Sequence, residues 1–243
     1  MPALYKISVD PIYLLMEFIS RTRLPAGEKE IAMSGMHHIT AISGAATRNL
    51  DFYTRVLGLR FVKKTVNFDD PGTYHLYYGD EAGHPGTILT FFPWEHATPG
   101  RAGVGLTQQT SFRVPARSIA YWTHRLIEKG VTDGKVGKRF GQSVLEFTDP
   151  DGMGLALVGV ERAESEQAWT TGEIPAEHAV RGFHGATLML ADAQPTGAVL
   201  TGVLGFAVDE PVATLGQSLK LPAFLEPRRS QIEAVLPSLE RIA

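Results

Sequence analysis

The sequence predicts an α+β fold made of paired βαβββ units, in which a third unit is truncated and a fourth is absent. The first observation is an internal repeat: a short alternating apolar run, a polar turn and an amphipathic stretch that ends at glycine. The three copies occupy residues 38–62, 109–131 and 184–208. The second observation is that hairpin-like sequence follows the first two copies but not the third. Together these observations predict two complete units and part of another.

Each unit is expected to contain one helix that ends at a glycine. In the first unit, four apolar residues recur at helical spacing: Leu50, Tyr53, Val56 and Leu57. Three glycines stand where a left-handed C-cap favours that residue: Gly58, Gly130 and Gly205. The helices are therefore expected to end just before these glycines.

Hairpins are expected to complete the first two units. Residues 74–80 and 87–92 are strand-like and flank the turn sequence AGHPG. In the second unit, residues 143–160 contain the turn sequence DPDG at 149–152. Because one unit alone leaves a half-covered sheet face, two units are expected to pair around a common core.

Composition excludes several classes of function. The 243 residues carry a formal net charge of −3, which provides no basic field for nucleic acid or an anionic membrane. Because cysteine is absent, there is no disulfide, thiolate zinc site or cysteine nucleophile. The apolar segment PIYLLMEFI is interrupted by Glu17, is shorter than the ~20 residues that span a bilayer, and lacks signal-peptide features. A cytoplasmic protein is therefore expected.

Two adjacent histidines stand at the head of the first predicted strand, in the sequence GMHHITAISG. Such a pair holds either a metal ligand or a proton carrier, or it consists of ordinary polar residues at a strand entrance. Strand alternation places His38 and Thr40 on one face and His37 on the other, so His37 joins them only if the strand entrance bends.

The repeat, with histidine at the head of its first strand, resembles the vicinal oxygen chelate superfamily of glyoxalase I, bleomycin-resistance proteins and extradiol dioxygenases. Residues 36–94, which include the run VNFDDPGTYHLYYGD, resemble more closely the ring-cleaving dioxygenases that act on hydroquinone-type substrates. The second unit, RGFHGATLML and LKLPAFLEPRRSQIEAVLP resemble the same group. The resemblance extends over roughly residues 36–237, with a gap near residue 216.

The resemblance implies a mononuclear Fe(II), or alternatively Mn(II), held by two histidines and one glutamate, with open positions for a small aromatic substrate and O₂. It assigns His38 as the metal ligand of the first unit. It assigns His37 a role in hydrogen-bonding or deprotonating the substrate hydroxyl, and Thr40 a position beside the substrate. The other two ligands belong to the fourth unit, so the metal site of this chain is expected to be incomplete.

The repeats also set the expected domains. Residues 1–35 form an N-terminal extension of unknown role. Residues 36–160 form a glyoxalase-like domain, whose two units are 36–103 and 104–160. The charged segment 161–180, which has few large apolar side chains, is expected to be a flexible linker.

Residues 181–243 are expected to form the truncated third unit and a C-terminal helix near residues 226–236. The missing strands should leave open sheet edges and an uncovered apolar face, which favour a homodimer.

The remaining candidate residues are expected to be structural. His184 should satisfy a local hydrogen bond, and His75 should be structural unless its face points into the barrel. Glu146 is the best spare carboxylate on a predicted strand and is expected at the surface. Four further histidines are expected to be solvated: His84, His96, His124 and His178.

Three hypotheses follow from the sequence. The first is an Fe(II)-dependent ring-cleaving dioxygenase whose site is completed by a second chain. The second is a non-catalytic protein that binds a small aromatic molecule, as bleomycin-resistance proteins bind their ligand. The third is an inactive product of a degraded gene. Metal content separates the first from the others, and ligand-induced stabilisation separates the second from the third. No nucleic-acid or membrane partner is expected.

Overall fold

The computed structural model describes residues 36–204, together with residues 4–5, 227 and 230. A two-residue strand, β1 (Leu4–Tyr5), comes first in the chain. The first unit then contains β2 (His38–Ser43), α1 (Ala46–Asp51), β3 (Arg60–Val66), β4 (Tyr74–Gly79) and β5 (Ile88–Pro93). A single π-helical segment, Phe52–Val56, continues α1. This is the predicted βαβββ order.

The second unit repeats the same order. Its elements are β6 (Leu106–Pro115), α2 (Ile119–Glu128), β7 (Lys135–Arg139), β8 (Gln142–Thr148) and β9 (Gly154–Val160). Short 3₁₀ turns cover Ala116–Ser118 and Ala163–Ser165. The third unit contributes β10 (Phe183–Met189) and α3 (Gln194–Gly202). The α+β fold with paired units is therefore confirmed.

The strands form two sheets. The four-stranded sheet has the order β2-β5-β4-β3, in which β2 runs parallel to β5 and the other pairs are antiparallel. The six-stranded sheet has the order β1-β10-β6-β9-β8-β7, in which β6 runs parallel to β9. Strand β10 pairs antiparallel with β6, so the third unit extends the sheet of the second.

One core joins the two complete units. It contains fully buried side chains from both sheets and both helical segments, among them Tyr53, Phe91, Phe112, Trp122 and Leu157. Each sheet turns one face toward this core and the other face away from it. The faces that point away from the core carry the polar side chains described below.

Two of the three predicted C-cap glycines are confirmed. Gly58 and Gly130 have φ angles of 70° and 85°, in the left-handed region that favours glycine. A Cβ at Gly58 would overlap Ile174 Cδ1, whereas a Cβ at Gly130 would meet no atom within 4 Å. Gly205 and the predicted helix near residues 226–236 lie outside the described residues.

The expectation of a flexible linker is wrong, because the segment 161–180 packs against α2 and the core. Ile174 is 2% exposed. The Glu173 carboxylate accepts hydrogen bonds from Arg125, in α2, and from Lys129, which follows α2. His178 is half-buried rather than solvated, since its ring stacks on Tyr121 with 4.1 Å between centroids. The indole Nε1 of Trp122 donates to the His178 carbonyl at 2.8 Å.

Among the residues described, no helix has the length and apolar character needed to cross a membrane.

Candidate active site

The outward face of the four-stranded sheet is polar. Alternate residues of its strands, such as Ile39, Leu76 and Phe91, enter the core. The residues between them lie on the opposite face, and five of them form a connected group: Thr40, His75, Tyr77, Thr90 and Phe92. His38 and Thr40 thus share a face, as strand alternation predicts.

The two adjacent histidines contact each other. His37 lies just before β2, and its Nδ1 is 2.9 Å from Nδ1 of His38. The rings are nearly perpendicular, at 82°, and their centroids are 5.2 Å apart. The His37 carbonyl accepts a 2.7 Å hydrogen bond from the Gly86 amide, which anchors the backbone just before β2. Because one Nδ1 must donate and the other accept, the contact requires at least one neutral ring.

A chain of hydrogen bonds crosses this face from β4 to β2. The Tyr77 hydroxyl is 2.9 Å from Nδ1 of His75, and Nε2 of His75 is 2.9 Å from Oγ1 of Thr90. Thr90 in turn donates to Oγ1 of Thr40 at 2.9 Å. The His75 ring lies between those of Tyr77 and Phe92, at centroid distances of 4.2 and 4.1 Å.

His75 is neutral at physiological pH. Burial lowers its pKa to about 4, and the nearby charges of His38 and Lys63 act in the same direction. Burial also raises the pKa of Tyr77, which therefore remains protonated. The Lys63 ammonium lies 5.3 Å from the centre of the Tyr77 ring. A neutral imidazole has one donor and one acceptor nitrogen, so His75 can link two hydroxyl groups in series.

The described residues do not provide a complete ligand set for iron. Within residues 36–204, no three histidine, aspartate or glutamate side chains converge on a point where they could hold a metal ion. Imidazole is a suitable iron ligand, but here no carboxylate joins His37 and His38 in such a group.

The outward face of the six-stranded sheet carries a separate polar group. Nε2 of His184 lies 3.0 Å from Oε1 of Gln142, which is the local hydrogen bond expected for that histidine. Glu146, 39% exposed, forms an ion pair with Arg139 and lies 3.3 Å from Nε2 of Gln109. Glu146 and His184 belong to a different sheet from His38 and are engaged in these contacts.

Sequence reasoning identified Thr40 but missed the other four members of the connected group. His75 was expected to be structural, and Tyr77, Thr90 and Phe92 carried no signal of their own. Alternation in β4 places His75 and Tyr77 on one face, but their approach to Thr40 depends on the pairing of β4 with β5 and of β5 with β2. Thr90 pairs with Thr40 on one side and with Tyr77 on the other.

Comparison with known proteins gives relatives that match 65–78% of this chain. MhqO, a provisionally named ring-cleaving dioxygenase of Bacillus subtilis strain 168, is 49% identical over 171 residues, covering 70% of this chain and 54% of that protein. The chlorohydroquinone/hydroquinone 1,2-dioxygenase of Sphingobium indicum is 38% identical over 161 residues, covering 65% of this chain and 50% of that enzyme. A crystal structure of a provisionally named dioxygenase from the same Bacillus strain has a TM-score of 0.68 at 48% identity, covering 72% of this chain and 56% of that one.

These relatives are longer than this chain. The match spans about half of their length, from 50% to 61%. A family model described as the Glyoxalase/Bleomycin resistance protein/Dioxygenase superfamily matches residues 35–157, which include the first βαβββ unit and the second as far as the middle of β9. The chain belongs to the Glyoxalase/Bleomycin resistance protein/Dioxygenase superfamily.

Proposed function

We propose that this chain provides part of the active site of a ring-cleaving dioxygenase, which uses O₂ to open a hydroquinone- or catechol-like aromatic ring. In this proposal His38 is one ligand of a divalent iron, with manganese as the alternative metal. His37 hydrogen-bonds or deprotonates the substrate hydroxyl, and Thr40 lies beside the substrate. Identity of 38–49% to proteins named as ring-cleaving dioxygenases supports this assignment.

The observation that carries the proposal is the contact between His37 and His38 on the same polar face as Thr40. The 2.9 Å Nδ1–Nδ1 distance gives one imidazole a hydrogen-bonding partner that fixes its ring orientation and tautomer. A metal-binding imidazole commonly has such a partner on its second nitrogen. The other imidazole can accept a proton from a substrate hydroxyl, as ionisation of a phenol requires.

The remaining metal ligands have to come from outside residues 36–204, because that part of the chain offers no three-ligand group. A longer protein, comparable in length to the relatives, or a second copy of this chain would supply them. The expected homodimer through open sheet edges stays a prediction. Bound iron would bring the electron-rich substrate and O₂ together, and the residues described here would position the substrate and hold its protons.

The second candidate function is metal-free binding of a small aromatic molecule. It is favoured by the close ring contacts of His75 with Tyr77 and Phe92, on a face where no described carboxylate joins the histidines in a three-ligand group. Offset ring faces at these spacings also suit a flat aromatic ligand.

Oxygen consumption with hydroquinone, measured after anaerobic Fe(II) loading, separates the two functions. If the chain is a dioxygenase, we expect oxygen consumption that is lost in His38→Ala. It should be kept in His124→Ala, a matched change of an exposed histidine on α2. A binding protein predicts no oxygen consumption but a hydroquinone-dependent rise in melting temperature without metal. Absence of both responses would support the third hypothesis, an inactive chain.

A further inference from the structure

The chain of hydrogen bonds that crosses the polar face ends at Thr40, beside the proposed substrate position. Its three links, Tyr77 to His75, His75 to Thr90 and Thr90 to Thr40, all measure 2.9 Å. Thr90 is fully buried, so water does not compete for its hydroxyl group, and Thr40 is 4% exposed. The His75 ring lies between those of Phe92 and Tyr77, tilted by 33° and 37° to them, and these contacts restrain its plane.

A neutral imidazole in the middle of this chain couples the directions of all three hydrogen bonds. If Nδ1 of His75 accepts a hydrogen bond from the Tyr77 hydroxyl, then Nε2 must carry the ring proton and donate to Thr90. Thr90 then donates a hydrogen bond to Thr40, and the Thr40 hydroxyl is left to donate to an acceptor that is not part of this series of hydrogen bonds. In the opposite sense, Thr40 donates to Thr90 and could only accept a hydrogen bond from a ligand.

The chemistry of the two ends favours the first sense. A phenol is a better hydrogen-bond donor than an aliphatic hydroxyl and a poorer acceptor than an imidazole nitrogen. The Lys63 ammonium beside the Tyr77 ring strengthens the phenol as a donor, since positive charge favours electron withdrawal from its oxygen. Tyr77 is therefore the first donor in this series of hydrogen bonds.

We infer that Tyr77, His75 and Thr90 are positioning residues that orient the Thr40 hydroxyl as a hydrogen-bond donor toward the open polar face. Thr40 then recognises an oxygen that accepts a hydrogen bond, such as a phenolate or carbonyl oxygen of the aromatic ring. The identity of that ligand rests on the proposed function, whereas the direction of the hydrogen bonds from Tyr77 to Thr40 does not.

Two-bond proton–nitrogen NMR correlation of the histidine rings tests the direction in the full, ¹⁵N-labelled chain, without metal or substrate. His75→Gln assigns the signals. The inference predicts a protonated Nε2 and a bare Nδ1 in His75, and a shift of the population toward protonated Nδ1 in Tyr77→Phe. Tyr74→Phe is the matched control, because Tyr74 is an exposed neighbour on the same strand. A protonated Nδ1 in the wild type, or an unchanged tautomer in Tyr77→Phe, would overturn the inference.

Hydroquinone affinity tests the consequence for ligand binding. Thr90→Val breaks the chain and should weaken binding about tenfold, which corresponds to 1.4 kcal/mol. Thr90→Ser restores the hydroxyl and should recover wild-type affinity, and the melting temperature of Thr90→Val shows whether that variant remains folded. Equal affinity in both variants would refute the role in ligand recognition. The predicted tautomer without oxygen consumption would contradict only the proposed function.

Discussion

The hydroxyl of Tyr53, in the first unit, donates a 2.9 Å hydrogen bond to Oδ2 of Asp149, in the second, and both side chains are buried. The other carboxylate oxygen of Asp149 accepts the backbone amides of Asp151 and Met153. Burial raises the pKa of Asp149 and, more strongly, that of Tyr53. This carboxylate therefore holds the β8–β9 turn and also joins the two units inside the shared core.

Replacement of Tyr53 by phenylalanine should lower the free energy of unfolding by about 1–3 kcal/mol, because it leaves a buried acceptor without its donor. Urea denaturation measures the change. Tyr121→Phe is the control, since the Tyr121 hydroxyl donates to the Glu173 carbonyl at an exposed position. Equal losses in the two variants would show that the Tyr53–Asp149 hydrogen bond has no special role.

Arg125 connects the units by a second route. This buried guanidinium donates to the carbonyls of Val56 and Arg55 at 2.9 and 2.6 Å, where the helical segment of the first unit ends. Arg125→Lys should lose about 1.5–3 kcal/mol, the range for a hydrogen bond to a charged group, because an ammonium cannot reproduce the planar fork. Thermal or urea unfolding tests this. Arg117→Lys, at an exposed ion pair, should change stability little.

The two C-cap glycines provide a matched pair. Alanine at either Gly58 or Gly130 requires a left-handed conformation, which costs roughly 1–2 kcal/mol. Gly58→Ala should cost more than Gly130→Ala, because only at residue 58 does the new Cβ overlap Ile174. Comparison of unfolding free energies by urea denaturation isolates this packing contribution. Equal costs would mean that the segment around Ile174 moves aside freely.

His75 should make stability depend on pH. Folding lowers its pKa from 6.5 to about 4, so the folded chain binds fewer protons than the unfolded chain between these values. The free energy of unfolding should therefore decrease as the pH falls from about 6.5 toward about 4. His75→Gln removes this titration while His38 and the other ionisable groups remain. Urea midpoints across this interval should fall less steeply in the variant, and parallel slopes would contradict the assignment.

The repeat explains why the fold was predictable. The periodicity of residues such as Tyr53 and Leu57 is local information, and so are the glycines that end the helices. The behaviour of the segment 161–180 was not predictable in the same way. Its few apolar residues include Ile174, which is buried because α2 and Gly58 provide a surface for it, and nothing in the local composition indicates that surface.

The candidate site was predictable only in part. Alternation places His38 and Thr40 together because it is a property of a single strand. The roles of His75 and Thr90 depend on the register between three strands, which the sequence of each strand does not specify. The contact between His37 and His38 lies just before β2, where the Gly86 amide donates to the His37 carbonyl, and strand alternation alone does not predict it.

The most direct test of the proposed active site is the amount of iron bound per chain after anaerobic Fe(II) loading and desalting. With His38 as a metal ligand, we expect near-stoichiometric iron in the wild type and in His124→Ala, and loss of iron in His38→Ala. That result would establish His38 as a metal ligand whose partners come from outside residues 36–204. Iron that is retained in His38→Ala, or absent from all three proteins, would contradict the proposed metal centre.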